Sequence, residues 1–251
     1  MPTEIGLISD IHGNAVALDA VVTDLRRRRV RESVCLGDVA AGGPQPGAVM
    51  ARLRELGCHG VRGNAESWVL DGLPPGRSEE TERLGVSVVW TRTQLSNDDL
   101  DYLRTLPPTL TMHVEQVSLF CFHGSPRSEI ESLLATTPDA VLEEALADAP
   151  AASIVAGGHT HVQLLRRSGD RLLVNPGSVG LPLGSLTGEP PLPAWAEYAV
   201  VEVDGDDVNV SFHRVSVDGE ELTAATAAMP NASWAADLER RIVRWSAMKP
   251  G

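Results

Sequence analysis

The sequence predicts an α/β (α+β) fold, and three observations carry that reading. Short apolar runs alternate with segments of helical period over residues 4–63, the pattern of right-handed βαβ units in a largely parallel sheet. Strand-like runs then recur from 109 onward, most densely between 162 and 215. Polar, metal-capable residues stand where several of the apolar runs end, and in open α/β sheets ligands gather at the carboxyl ends of strands.

Taken in order, residues 4–9 read as a buried strand. Ala15 to Arg28 reads as a helix whose apolar stripe is Val16, Leu18, Val21, Val22 and Leu25. Arg26 to Arg29 closes that helix, where the dipole favours cations, so the run is a helix end and not a phosphate patch. "SVCLG" (33–37) is a second strand, 47–56 a second helix and "CHGVRG" (58–63) a third strand. Residues 67–95 are irregular or helical, and Ser96 is the N-cap signal of a helix over 95–106. Strands follow at 109–114 and 117–122, a helix at Pro138 to Ala147, and a strand at 152–158. The segments near 162–167, 171–174, 197–203 and 207–215 predict a second, mostly antiparallel sheet, with a terminal helix at 233–246 packed across it. The Gly/Pro-rich stretch 176–193 reads as a long loop. The expectation is one domain over 1–251, its core at 1–215 and a helical tail at 233–246.

Composition narrows the function. No apolar run approaches the roughly 18 residues of a membrane span, and Met1 to Glu4 leads directly into "IGLIS" without a basic leader, so a soluble, cytoplasmic protein is expected, with no membrane partner. The formal net charge of −13 disfavours nucleic acid as a bulk partner; a small phosphorylated substrate would need local positive charge, which cations would supply. Lys249 is the only lysine and no GxSxG occurs, which excludes a P-loop, a Schiff-base lysine within the fold and a serine elbow. Cys35, Cys58 and Cys121 lie in or beside strand-like runs without CxxC spacing and read as packed thiols.

The strand ends carry the chemistry. Asp10 and His12 follow the first strand, Asp38 the second and Asn64 the third; His123 follows "SLFCF", and His159 and His161 follow "SIVAGG". Each alone is readable as a turn, a helix cap or a satisfied core histidine. Together they place four of the chain's seven histidines with two Asp and one Asn on five turns, which independent turn preferences do not explain. His59, His113 and His213 lie outside these turns and read as structural. Seven N and O donors exceed one zinc site but suit two cations about 3.5–4 Å apart sharing a carboxylate, with Asp38 the natural bridge. The absence of thiolate points toward Mn, Fe, Zn or Co.

"DIHGN" (10–14), "GDVAAGGPQP" (37–46), "GNAE" (63–66), "FHG" (122–124) and "GGHTH" (157–161) resemble the successive blocks of the calcineurin-like metallophosphoesterase family, in the family's order. "NPGSVG" (175–180) resembles a further block of its bacterial phosphodiesterase branch. The resemblance implies a four-layer αββα sandwich of two mixed β-sheets flanked by helices, with two divalent cations (Mn, Fe, Zn, Co or Ni) at the sheet edge. By motif, Asp10, His12, Asp38 and His161 would hold one metal, and Asp38, Asn64, His123 and His159 the other. It implies hydrolysis of a phosphodiester or phosphomonoester by a metal-bridging hydroxide, with Asp38, Asn64, His123 and Glu66 as catalytic residues. Dinucleoside polyphosphates, phosphoprotein, or a non-catalytic scaffold role on the same fold are the alternatives. The chain departs from the pattern at Ala65, where many relatives carry a histidine that assists the leaving group. Glu66 beside it reads equally as a helix N-terminal carboxylate or a proton-transfer group, and Arg62 as a phosphate contact or a structural ion pair.

Overall fold

The computed structural model describes residues 2–75, 79–182, 195–227 and 229. The expected terminal helix at 233–246 and most of the 176–193 loop lie outside them. The chain opens with β1 (Thr3–Ile8), α1 (Ala15–Arg28), β2 (Glu32–Cys35), α2 (Pro46–Leu56) and β3 (His59–Gly60). Helices α3 (Asn64–Asp71), α4 (Glu79–Gln94) and α5 (Asn97–Thr105) follow, then β4 (Leu110–Val114), β5 (Val117–Cys121), α6 (Asp139–Ala145) and β6 (Ile154–Ala156). The last described elements are β7 (Gln163–Ser168), β8 (Arg171–Pro176), β9 (Trp195–Asp204), β10 (Asp207–Ser216) and α7 (Gly219–Thr226).

Local signals set the helix ends. Asn14 caps α1 by accepting from the Ala17 amide at 3.0 Å, and Arg29 closes it in the left-handed conformation at φ 67°. Pro46 opens α2 and Gly57 ends it, while Ser96 and Asp99 form the capping box of α5. β3 is shorter than the expected 58–63, because at Arg62 the amide turns to the Pro107 carbonyl instead of a ladder partner. Helix α7 had no sequence expectation.

Two five-stranded mixed sheets stack face to face, ordered β10-β9-β1-β2-β3 and β4-β5-β6-β8-β7. Here one expectation is corrected: the strands between 162 and 215 do not form a sheet of their own. β9 runs antiparallel to β1 and extends the first sheet, whereas β8 runs parallel to β6 and extends the second. Ile5, Leu7, Val34, Leu119, Ile154, Val174 and Val201 fill the space between the sheets. On the outer face of the first sheet the helical stripe of α1 packs with α2, Leu103 and Tyr198; on that of the second, Leu142 and Leu146 meet Phe120, Phe122 and Val155. Burying each large aliphatic side chain contributes about 1.5–3 kcal/mol, so these cores hold the strand ends in fixed register. Among the described residues no helix is long and apolar enough to cross a membrane. All three cysteines are free, and burial pushes the thiols of Cys58 and Cys121 up to about 12.

A polar clamp joins α1 to the first sheet. The buried Tyr198 hydroxyl donates to Asp24, which also accepts from Arg27 and Arg28, and the Tyr198 ring stacks on His213 at 4.8 Å. Burial alone would raise Asp24, but the hydrogen bonds from Arg28, Tyr198 and Arg27 pull its carboxyl down to about 2. A depressed carboxylate contributes stability above its unfolded value that is lost as pH falls through the folded one. Asp24→Asn is therefore expected to lower unfolding free energy at pH 7 by about 1–3 kcal/mol. Urea melts at pH 7 and pH 3 should also show a smaller acid-induced loss than in the wild type; an unchanged difference would refute the clamp.

Candidate metal centre

Parallel alignment of β1, β2 and β3, and of β5 and β6, brings their carboxyl ends to one edge of the sandwich. The turns leaving those ends are tied to each other. Asp10 N donates to Gly37 O (3.0 Å), His12 N to Asp38 O (2.9 Å) and Gly158 N to His123 O (2.7 Å). Among the described residues, five of the seven non-glycine residues with positive φ lie here: Asp10 (54°), His12 (49°), Asp38 (55°), His159 (67°) and His161 (57°). Such backbone is unfavourable for L-residues and persists where surrounding structure over-determines it, most often at functional sites. Two glycines make the crowding possible. A Cβ on Gly37 would come within 2.9 Å of His123 Nδ1, and one on Gly158 within 2.0 Å of Ser9 Oγ and 2.7 Å of Asp10 Oδ2.

The side chains converge as two neighbouring groups of potential ligands. Asp10, His12 and His161 form one; Asp38, His123 and His159 form the other, each with ligand atoms within 4.8 Å of one another. His161 Nε2 lies 3.2 Å from Asp10 Oδ1 and 3.0 Å from His12 Nε2. Asp38 faces both groups, with Oδ2 3.8 Å from His12 Nε2 and Oδ1 3.4 Å from His123 Nε2. The Asn64 amide stands 3.2 Å from His123 Nε2. All seven sequence-predicted ligands are thus brought together.

Three features show that the donor set fits cations. First, the Nδ1 atoms of His12, His123 and His161 each face a backbone carbonyl, Ala41 (2.7 Å), Leu36 (2.6 Å) and Leu181 (2.7 Å). That contact fixes the proton on Nδ1 of the neutral ring and aims the Nε2 lone pair inward, the outer support typical of metal-bound imidazole. Second, Asp10 Oδ1 is buried without a hydrogen-bond donor, a loss that a cation would repair. Third, the Asn64 oxygen faces acceptors. Hydrogen bonding alone favours the opposite orientation, with the amide nitrogen 3.0 Å from His159 Nδ1 and 3.2 Å from Glu129 O. A cation between those groups reverses the preference, since oxygen must then face it. Donors about 2.1 Å from one ion stand roughly 3.0–3.4 Å apart, close to the separations seen.

The electrostatics agree. Burial opposes charge on both carboxylates, yet His161 holds Asp10 low and His123 holds Asp38 low. Burial likewise opposes charge on His123, but Asp38 lifts it to about 10, and Asp10 lifts His161 in the same way. At His12 and His159 burial wins, helped by the neighbouring imidazole, and both fall below the ordinary histidine value. Ionised carboxylates beside imidazoles are the protonation states that cation binding requires, with any proton on the imidazoles displaced on binding.

Other expectations resolve differently. Glu66 is fully buried behind Asp38: Oε2 accepts from the Asp38 and Gly63 amides (2.8 and 2.9 Å) and Oε1 from Val39 (2.8 Å). The carboxylate stands in the first turn of α3, and both oxygens point at backbone. Burial and the adjacent Asp38 charge push Glu66 up to about 7 while the amides pull it back. Arg62 pairs with Glu129 at 3.2 Å, which also accepts from Ser67 at 2.7 Å. Ala65 is buried, its amide donating to Asp38 Oδ1 at 2.8 Å, and its methyl group has no proton to give or accept. Sequence reasoning marked 175–180 as a further family-like block but assigned it no contacts; residues 175–181 brace the site from β8: Asn175 Nδ2 donates to Gly158 O (2.6 Å), Val179 N to Ser9 O (2.9 Å) and Gly180 N to Asp10 O (3.0 Å). The density of Gly and Pro there was the available signal.

Two mixed sheets flanked by helices, with clustered imidazoles and carboxylates at the strand ends, define an α/β protein with two candidate metal-ligand groups at one edge of its sheets. The sequence profile of the calcineurin-like phosphoesterase superfamily domain matches residues 3–206, and the chain belongs to that superfamily. It is similar to the uncharacterized protein MJ0912 of Methanocaldococcus jannaschii, 28% identical over 234 residues that span 85% of this chain and 88% of the relative. A metallophosphoesterase from Sphaerobacter thermophilus is 28% identical with a TM-score of 0.73, covering 97% of this chain and 99% of that one. The hypothetical protein PH1004 from Pyrococcus horikoshii OT3 shares the fold at TM-score 0.77 and 19% identity, over 94% and 97% of the two chains.

Proposed function

We propose that the chain is a binuclear-metal-dependent phosphoesterase that cleaves phosphodiester or phosphomonoester bonds of a small substrate, with diesters of acidic leaving groups preferred. The observation that carries this is Asp38, whose two carboxylate oxygens face two separate ligand groups. Asp10, His12 and His161 would hold one cation and Asn64, His123 and His159 the other, with Asp38 common to both. When bound, the pair would supply Lewis-acid polarisation of phosphoryl oxygen and an acidified water as nucleophile.

The chain's own residues set the preference. Leaving-group protonation contributes about 10²–10⁴ in rate, and the buried Ala65 offers no proton, so substrates whose leaving groups need none are favoured. Arg62 is engaged by Glu129, which weakens the case for a dianionic monoester that needs added positive charge. The superfamily membership supports the hydrolytic class.

The test uses protein stripped with chelator and reloaded separately with Mn²⁺, Fe²⁺, Co²⁺, Ni²⁺ or Zn²⁺. Bis-p-nitrophenyl phosphate is expected to turn over with at least one cation and faster than p-nitrophenyl phosphate. Silence with every cation would remove the enzymatic reading and leave a scaffold; a faster monoester would remove the diester preference alone.

A further inference from the structure

We infer that Ser178 is a positioning residue for one ligand group, Asp10, His12 and His161, and tunes its affinity for a cation without acting on the other. The inference rests on the two-cation reading above. Ser178 is fully buried in the segment that follows β8. Its hydroxyl donates to the Asp10 carbonyl at 2.7 Å and accepts from the Leu181 amide at 2.8 Å. The Leu181 carbonyl in turn accepts from His161 Nδ1 at 2.7 Å. One oxygen therefore governs two ligands of the same group: Asp10 through its own backbone, and His161 through the turn that presents its acceptor.

Both ligands need such support. Asp10 and His161 stand at φ 54° and 57°, so each turn relaxes unless held from outside. His161 keeps Nε2 turned toward Asp10 only while Nδ1 has the Leu181 carbonyl to bond. The second group, though its turns are tied to the first through His12 N to Asp38 O and His159 N to Asp10 Oδ2, has braces of its own that do not involve Ser178. His123 is oriented by Leu36 O at 2.6 Å, and the Asp38 turn by Glu66. Ser178 makes no hydrogen bond to Asp38, Asn64, His123 or His159 among the described residues. Removing its hydroxyl leaves the Asp10 carbonyl with the Gly180 amide and deprives the Leu181 amide of its acceptor. The predicted effect is asymmetric, which a general packing role would not produce.

Calorimetric titration of chelator-stripped full-length protein with Mn²⁺ decides the matter. The wild type is expected to bind in two steps. In Ser178→Ala one step should weaken by about 10- to 100-fold, the range for loss of an outer support, while the other stays at its wild-type value. Turnover of bis-p-nitrophenyl phosphate should fall at limiting Mn²⁺ and recover at high Mn²⁺. Ser178→Cys keeps the shape with a weaker donor and should weaken the same step to a smaller degree, which covers the case in which the alanine variant does not fold. Two unchanged steps, or two steps weakened equally, would overturn the inference while leaving the two-cation reading intact. A wild type without two binding steps would sink that reading, and this inference with it.

Discussion

Asp38→Asn is expected to lower turnover by on the order of 10³-fold or more and to empty both ligand groups, because in the proposed two-cation reading the activated water and both cations would depend on a shared anion. Asn matches Asp in shape, tolerates the left-handed backbone that Asp38 adopts at φ 55°, and can still accept the Ala65 amide. The substitution therefore deletes a charge with little change in geometry. The charge that holds His123 up to about 10 disappears with it, so the His123 titration of the metal-free protein should move sharply downward. Metal content after dialysis, proton NMR of the imidazoles and turnover supply three separate readouts. A variant that keeps its rate would show that Asp38 does not join the two groups, and one that keeps a single cation would show that it serves one group only.

The candidate ligands were legible because their signal is local. Each is a polar residue at or just past the end of an apolar run, five of the seven with glycine beside them, and strand ends of parallel βαβ units meet at one edge whatever the rest of the fold does. Helix α1 was legible for a similar reason, since its apolar stripe and the arginine run that closes it are local. The division of strands between sheets was not, because β7, β8, β9 and β10 have similar patterns and the choice of neighbour is made across more than a hundred residues, as in the pairing of Leu7 with Ala199. The inner ring of carbonyls that orients the histidines was also hidden. Leu36, Ala41 and Leu181 contribute through backbone oxygen, so their side chains carry no trace of the role. Ser178 and Asn175 were quoted within a glycine- and proline-rich block, yet what they touch lies far away in sequence.

Glu66 shows how the same residue type splits between chemistry and support, and its replacement should have the second large effect. In Glu66→Ala the amides of Asp38, Val39 and Gly63 lose their common acceptor within the core. At about 1–3 kcal/mol for each buried donor left unmade, the loss is at least about 3 kcal/mol, a large share of the 5–15 kcal/mol that stabilises an ordinary domain. Glu66→Gln is the sharper probe. It keeps the volume but turns one oxygen into an NH₂ group facing a backbone N–H, so the turn carrying Asp38 must shift. A positioning role then predicts cation affinity weakened by about 10- to 100-fold and a loss of rate that is the same for good and poor leaving groups. A proton-transfer role predicts the reverse: cation affinity untouched, and a deficit that grows as the leaving group becomes more basic. Because both Glu66 oxygens already point at backbone amides and neither faces the ligand groups, the first pattern is expected. A leaving-group-dependent deficit at full metal occupancy would overturn it.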